Sequence, residues 1–169
     1  MMCYAFAVDR SLAYDFRRVG WADLSQLQSW EQQPHVQEWW DSDDPIDAQD
    51  LADPRCALWI VSYKGRPFAF LQDYTVHGWP NHPFADLPKG TRGIDQYIGE
   101  PDMLGKGHGT GLIQQRMDVL FHEGAPMIAI DPHPDNARAI AVYRKLGFAP
   151  MGPPQKTEWG PILPMVARP

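Results

Sequence analysis

A mixed α/β fold, one largely antiparallel twisted sheet with helices on both faces, is what this sequence predicts. Three observations carry that expectation. First, two apolar runs, Ala57 to Tyr63 and Phe68 to Tyr74, are separated by Lys64-Gly65-Arg66-Pro67 and read as an antiparallel hairpin. Second, a short apolar run from Ile94 to Ile98 leads through a glycine-rich turn into an amphipathic helix. Third, a strand at Met127 to Ile130, a helix over Ala137 to Leu146 and a β region from Phe148 complete a β–α–β–α–β order. A hairpin followed by alternating elements indicates a mixed sheet covered on both sides.

Taken in order, residues 2–9 and 14–19 alternate and read as strands, the second with Tyr14, Phe16 and Arg18 on one face. Asp23 stands as an N-cap before Leu24, Leu27 and Trp30, which recur at helical spacing. Pro34 ends that helix, and His35 to Trp40 predict a second, short one. Between Glu38 and Asp53 lie seven carboxylates with no Lys or Arg among them. This block reads as a solvated surface loop, with an acidic lip that steers a polycation as the sharper alternative. Residues 75–91 are rich in Pro, Gly, His and Asn and too long for a simple turn. In the helix after the glycines, Leu112, Ile113, Met117, Leu120 and Phe121 share one face and Gln114, Gln115 and Asp118 the other. Gly124 and Pro126 break it. Asp135 or Asn136 caps the next helix, Gly147 ends it, and Glu158 to Ala167 predict a last strand despite Pro161 and Pro164.

A length of 169 residues, with 44% hydrophobic residues, fits one packed domain over 1–169. The net charge of −6 argues against an electrostatic nucleic-acid binder. No stretch reaches the ~18 apolar residues of a membrane span, and the N-terminus lacks a basic, then apolar, leader. Only Cys3 and Cys56 are present, which fits a reduced, cytoplasmic setting. The scattered histidines have no zinc-ligand spacing, so no metal is expected.

The stretch Arg92 to Leu112 holds the clearest chemical signal. A strand that delivers a glycine-rich turn to a helix N-terminus suits phosphate, because free N–H groups converge there and no Cβ blocks approach. Gly105, Gly107, Gly109 and Gly111 match neither the Walker loop nor the dinucleotide fingerprint. On the glycines alone, a phosphate cradle and a plain flexible loop are both open readings.

Two segments in order, Leu104-Gly-Lys-Gly-His-Gly-Thr-Gly-Leu-Ile113 and Asn136-Ala-Arg-Ala-Ile-Ala-Val-Tyr-Arg-Lys-Leu-Gly-Phe148, resemble the acyl-CoA-binding core of the GCN5-related N-acetyltransferases. The likeness to that family's aminoglycoside 6′-N-acetyltransferases extends through His35 to Trp40, Arg92 to Gln96 and Ile130 to Asn136, so that it spans about residues 24–150. It implies the GNAT fold, acetyl-CoA as cofactor and a small-molecule amine as acceptor; from charge and hydropathy no nucleic-acid or membrane partner is expected, and the chain is expected to act as a monomer or homodimer. There are two departures. Leu104 stands where the family's loop often carries Gln or Arg, and His77 is the nearest counterpart of an acidic residue that helps those enzymes hold the drug.

The resemblance also implies roles. An amine of pKa ~10.4 is only about one part in a thousand neutral at pH 7, so a positioned carboxylate base is useful. Asp95 is the candidate base and Tyr143 the candidate acid for the departing thiolate. The cofactor is expected against Leu104, Gly105, Lys106, Gly107, His108, Gly109 and Thr110, with an oxyanion donor from the main chain at Tyr97 or Ile98. Asn136 is expected on the pantetheine arm and Arg138 near the 3′-phosphate. Trp39, Trp40, His77, Asp95 and Asp131 are the candidate acceptor-binding residues. Acylation of a hydroxylysine or other siderophore precursor, and non-catalytic acyl-CoA sensing, are the alternatives.

Overall fold

The computed structural model describes residues 13–40 and 44–169. The strand expected over residues 2–9 lies outside them. Strand β1 (Tyr14–Arg18) is followed by helices α1 (Leu24–Glu31), α2 (Pro34–Gln37) and α3 (Ala48–Ala52). Strands β2 (Cys56–Tyr63), β3 (Arg66–Thr75) and β4 (Arg92–Ile98) then lead to α4 (His108–His122), β5 (Ile128–Ile130) and α5 (Ala137–Lys145). The chain closes with β6 (Ala149–Pro150), β7 (Gln155–Thr157), β8 (Gly160–Ile162) and β9 (Met165–Ala167). Among these residues, seven strands form one sheet in the order β1-β2-β3-β4-β5-β9-β6, and β7 and β8 form a separate hairpin. Every pairing is antiparallel except β4 with β5, which α4 connects.

Register assigns the two faces of the sheet. Leu58, Ile60, Phe70 and Tyr97 meet Leu27, Trp30 and Val36 of α1 and α2 in one core. On the opposite face, Val61, Leu71, Ile94, Ile128 and Ile130 pack with Leu112, Ile113, Met117 and Leu120 of α4 and Ile140 of α5. The period-2 pattern of the strands and the period-3.6 pattern of α4 therefore supply complementary apolar surfaces. Among the described residues β1 is an edge strand, and α4 bonds its open side. Gln115 accepts from the Tyr14 N–H at 2.9 Å and donates to the Tyr14 carbonyl at 2.7 Å, a substitute for a neighbouring strand.

Several local expectations need correction. Asp23 precedes α1 as its N-cap residue, but its carboxylate bonds Gly20 N–H and Arg17 instead of the helix it precedes. The acidic block is partly helical. Asp47 caps α3 by accepting from Gln49 and Asp50 N–H, and Asp50 returns to the Asp47 N–H. Residues 75–91 pack a small core against the sheet, in which Phe84 and Val76 are fully buried with Tyr74, Ala129 and Val166. The expected strand from Glu158 to Ala167 is instead the turn and second strand of the β7–β8 hairpin followed by β9, because the run breaks at Leu163 and Pro164.

Buried Asp73 joins the layers. It accepts from Arg92 at 2.6 Å, from Arg116 of α4 at 2.8 Å and from the Trp59 indole at 2.8 Å. The Arg116 guanidinium also lies 4.5 Å from the Trp59 ring centre. One carboxylate thus ties three strands to the helix that follows the glycine-rich turn.

Candidate active site

The site begins where β4 and β5 part. They pair only at Arg92–Ile128 and Gly93–Ala129. Gly99 N–H donates to the Phe68 carbonyl, so by the alternation of an antiparallel ladder Tyr97 and Asp95 turn their main chain toward β3. Gln96 and Ile98 turn theirs toward the opening. The Ile98 carbonyl is already taken by the His35 Nε2–H at 2.8 Å, which leaves the Ile98 N–H and the main chain of Gln96 facing the cleft. A cavity of about 730 Å³ occupies this cleft and reaches the glycine-rich turn at one wall and Trp39 and Trp40 at another.

The turn is built to present main-chain N–H groups. Gly105 and Gly107 have φ of +72° and +83°, the left-handed region in which a side chain is disfavoured, and Gly107 is the N-cap of α4. No acceptor among the described residues takes the N–H groups of Gly105 through Thr110, whereas Gly111 N–H returns to Gly107. Six consecutive N–H groups are therefore unpaired among the described residues at the positive end of a 15-residue helix, and four of the six residues, Gly105, Gly107, Gly109 and Thr110, line the cavity. The Arg138 guanidinium lies over this turn, 3.7 Å from where a Cβ on Gly105 would sit. Gly111 has a packing role instead: a Cβ there would fall 2.7 Å from the Tyr14 hydroxyl.

Not every predicted residue turns toward the cleft. The Leu104 N–H is spent on the Pro101 carbonyl, so that only its half-buried side chain lines the cavity. The His108 ring is buried beside Tyr63 and Phe68 with Nδ1 3.0 Å from the Tyr14 hydroxyl, leaving its N–H alone for a ligand. Lys106 is exposed on the outer side of the turn. Tyr97 packs against Trp40 and Phe70 and donates its hydroxyl to Glu31 at 3.4 Å, so Ile98, not Tyr97, offers the free N–H. Asn136 caps α5 through Oδ1 to the Ala139 N–H at 3.1 Å, and only its amide nitrogen remains. His77 is exposed, bonds the Leu87 carbonyl at 3.0 Å and does not line the cavity.

Asp95 and Asp131 each stand two residues past the last β4–β5 pair, so their carboxyls share one face of the sheet at the mouth of the opening. Gln72, opposite Asp95 in the β3–β4 register, donates to its carboxylate at 2.8 Å. Burial pushes the Asp95 carboxyl up to about 6, against the pull of the Gln72 bond. Burial and then the charge of Asp95 drive Asp131 well above the usual carboxylate range. The phenol of Tyr143, on α5, reaches the cleft from the other face and accepts from the Gln96 Nε2–H at 3.5 Å. Burial pushes it up to about 12. Trp40 is wedged edge-on against Tyr97 and Phe70, whereas Trp39 is 41% exposed at the rim, with its ring centre 5.5 Å from that of His133. Glu38 adds a further carboxylate to the lining.

Gln72, Gln96, His35 and His133 were not singled out by sequence reasoning. Gln96 lies within the Arg92–Gln96 motif, but Gln72 becomes visible only once β3 and β4 are in register across the 16 intervening residues 76–91.

The raised Asp95 pKa has a stability consequence with a definite sign. The folded state holds this proton more tightly than the unfolded chain, so the contribution is present in acid and lost as pH rises through about 6. An Asp95→Asn variant should therefore gain Tm on the wild type between about pH 4 and pH 6 and keep that gain above it. A difference in Tm that does not change with pH would contradict the assignment.

The chain matches the acetyltransferase (GNAT) domain family over residues 21–155. It is 33% identical over 159 residues to aminoglycoside N(6′)-acetyltransferase type 1 of Klebsiella pneumoniae, which spans 85% of this chain and 77% of that protein. It is 42% identical over 78 residues to a kanamycin resistance protein of Rhizobium radiobacter, covering 46% of this chain and 71% of that protein. Among solved structures, the aminoglycoside acetyltransferase AAC(6′)-Ib in complex with coenzyme A and kanamycin superposes with a TM-score of 0.82 at 31% identity, over 92% of this chain and 95% of that one. The parted strands, the cradle of N–H groups and these likenesses agree: the chain belongs to the GNAT acetyltransferase family.

Proposed function

We propose that this protein is an acetyl-CoA-dependent N-acetyltransferase acting on a primary amine of a small cationic acceptor, an aminoglycoside in the first instance. The observation that carries the reading is one cleft with Gly105, Gly107, Gly109 and Thr110, whose N–H groups have no partner among the described residues, on one wall and two carboxyls at its mouth. Proteins 33% and 31% identical to this chain are aminoglycoside acetyltransferases, which supports the reading.

The residues fit acetyl-CoA. The N–H groups of Gly105 to Thr110 suit a pyrophosphate, and Arg138 supplies a cation beside them. The exposed main chain of Gln96 and Ile98 and the free amide nitrogen of Asn136 suit the amide-bearing arm. When bound, acetyl-CoA supplies an acetyl group activated as a thioester. The remaining work falls to the chain. Asp95 takes the proton from the attacking nitrogen as the N–C bond forms. The Ile98 N–H faces the cleft as the donor available to an acetyl oxygen. Tyr143 gives its proton to the sulfur as the C–S bond breaks. Asp131, Glu38 and the rim formed by Trp39 attract and flank the cationic acceptor, aided by the acidic surface.

The test combines binding and turnover. Acetyl-CoA at 100 times its Kd should stabilise the fold by about 2.7 kcal/mol in thermal unfolding. A panel of kanamycin, polyamines, lysine derivatives and peptides should give acetyl transfer chiefly on kanamycin. Turnover confined to a hydroxylysine would favour the siderophore-precursor reading, and binding without turnover on any amine would favour a sensor.

A further inference from the structure

Gln96 occupies an unusual place in this cleft. Its main chain lies on the open edge of β4, and its side chain points to the face that carries α5. There its Nε2–H meets the Tyr143 hydroxyl at 3.5 Å, the side-chain partner that phenol has among the described residues. Gln96 Oε1 is buried with no hydrogen-bond partner among them. A phenol has one proton to give and lone pairs to receive. A donor placed on its oxygen leaves the O–H free to turn elsewhere, and Tyr143 lines the cavity.

We propose that Gln96 is a positioning residue for the acid of the reaction: by donating to the Tyr143 oxygen it keeps the phenol's own proton directed into the cleft, toward the departing sulfur. This rests on the reading of Tyr143 as that acid. The balance is simple. As the N–C bond forms the neutral acceptor nitrogen loses a proton to Asp95, as the C–S bond breaks the sulfur gains one from Tyr143, and solvent then takes the proton from Asp95 and returns one to Tyr143.

The environment makes such help useful. Burial holds the phenol at about 12, far above the ~8.5 of an ordinary thiol, so unaided transfer to a thiolate is uphill. The bond from Gln96 acts in the opposite direction, favouring the phenolate that forms as the proton leaves. An acceptor at the same point would do the reverse and capture the proton.

Two near-isosteric substitutions separate these cases. Gln96→Met removes the donor, and Gln96→Glu replaces it with an acceptor. Each is to be measured alone and together with Tyr143→Phe, with the acetyl-CoA thermal shift as the control for fold and cofactor binding. Gln96→Met should lower kcat about tenfold, the loss of one hydrogen bond specific to the transition state, and leave KM for acetyl-CoA within about twofold. Gln96→Glu should lower it further. In the Tyr143→Phe background neither should lower kcat again, since the group they act through is gone. Wild-type kcat in Gln96→Glu, or equal losses with and without Tyr143, would overturn the positioning role while leaving the acid intact. Wild-type turnover in Tyr143→Phe alone would overturn both.

Discussion

Asp95→Asn is expected to lower turnover by about 10²–10⁴-fold while leaving acetyl-CoA binding unchanged. The amine it serves is ~99.9% protonated at neutral pH, a burden of roughly 4–5 kcal/mol that a positioned base relieves. Asp95 suits that role because burial raises its carboxyl to about 6, which leaves it ionised at pH 7 yet a better base than an ordinary aspartate. Gln72 holds the carboxylate at 2.8 Å, so its direction is fixed by β3 as well as by β4. Wild-type kcat/KM should fall below about pH 6 as Asp95 is protonated. In the variant that limb should vanish, and the residual rate should climb about tenfold per pH unit as free amine accumulates. The same variant should be the more stable protein above pH 6, which separates a lost base from a damaged fold. Near-normal turnover would remove Asp95 from the chemistry.

Asp73→Ala is expected to destabilise the fold by about 3–5 kcal/mol, because it strands the buried Arg116 and the part-buried Arg92 without their counter-charge. Asp73 is 1% exposed and Arg116 is 9% exposed, so water is poorly placed to replace the carboxylate. The loss is a large share of the ~5–15 kcal/mol that holds a typical domain together. Urea unfolding at constant m measures it, and a loss under about 1 kcal/mol would contradict the network's role. Asp73→Asn keeps an acceptor for the Trp59 indole but not the charge, and should fall between the two. Because Arg116 belongs to α4, weaker acetyl-CoA binding should accompany the loss of stability in variants that still fold.

These two aspartates also mark how far the sequence was legible. Asp95 stood out through the Arg92–Gln96 motif next to the glycine-rich turn, a signal confined to adjacent residues. Asp73 did not, because an alternating strand gives every second residue a default place facing solvent, and its partners lie 19 and 43 positions away. The hairpin, α4 and α5 were readable from local period and from the left-handed Gly147, features that do not depend on distant contacts. The acidic stretch was misread in part because carboxylate density masks a capping box at Asp47 and Asp50, the same atoms serving charge and cap. The final hairpin was missed for a related reason: prolines spaced within one apolar run do not say whether the chain bends or merely loses a hydrogen bond. At the site, type was readable but direction was not. His108 and Tyr97 sit at the expected positions, yet core packing turns the His108 ring away from the cleft and spends the Tyr97 hydroxyl on Glu31.

Under the proposed function, one cleft joins an acyl-CoA cradle to a carboxylate that activates an amine. Mass spectrometry of kanamycin after incubation with acetyl-CoA and the protein tests it most directly. The expected product is kanamycin carrying a single acetyl group on a primary amine, formed by the wild type and lost in Asp95→Asn. Unmodified kanamycin, in the presence of protein shown by thermal shift to bind acetyl-CoA, would contradict it.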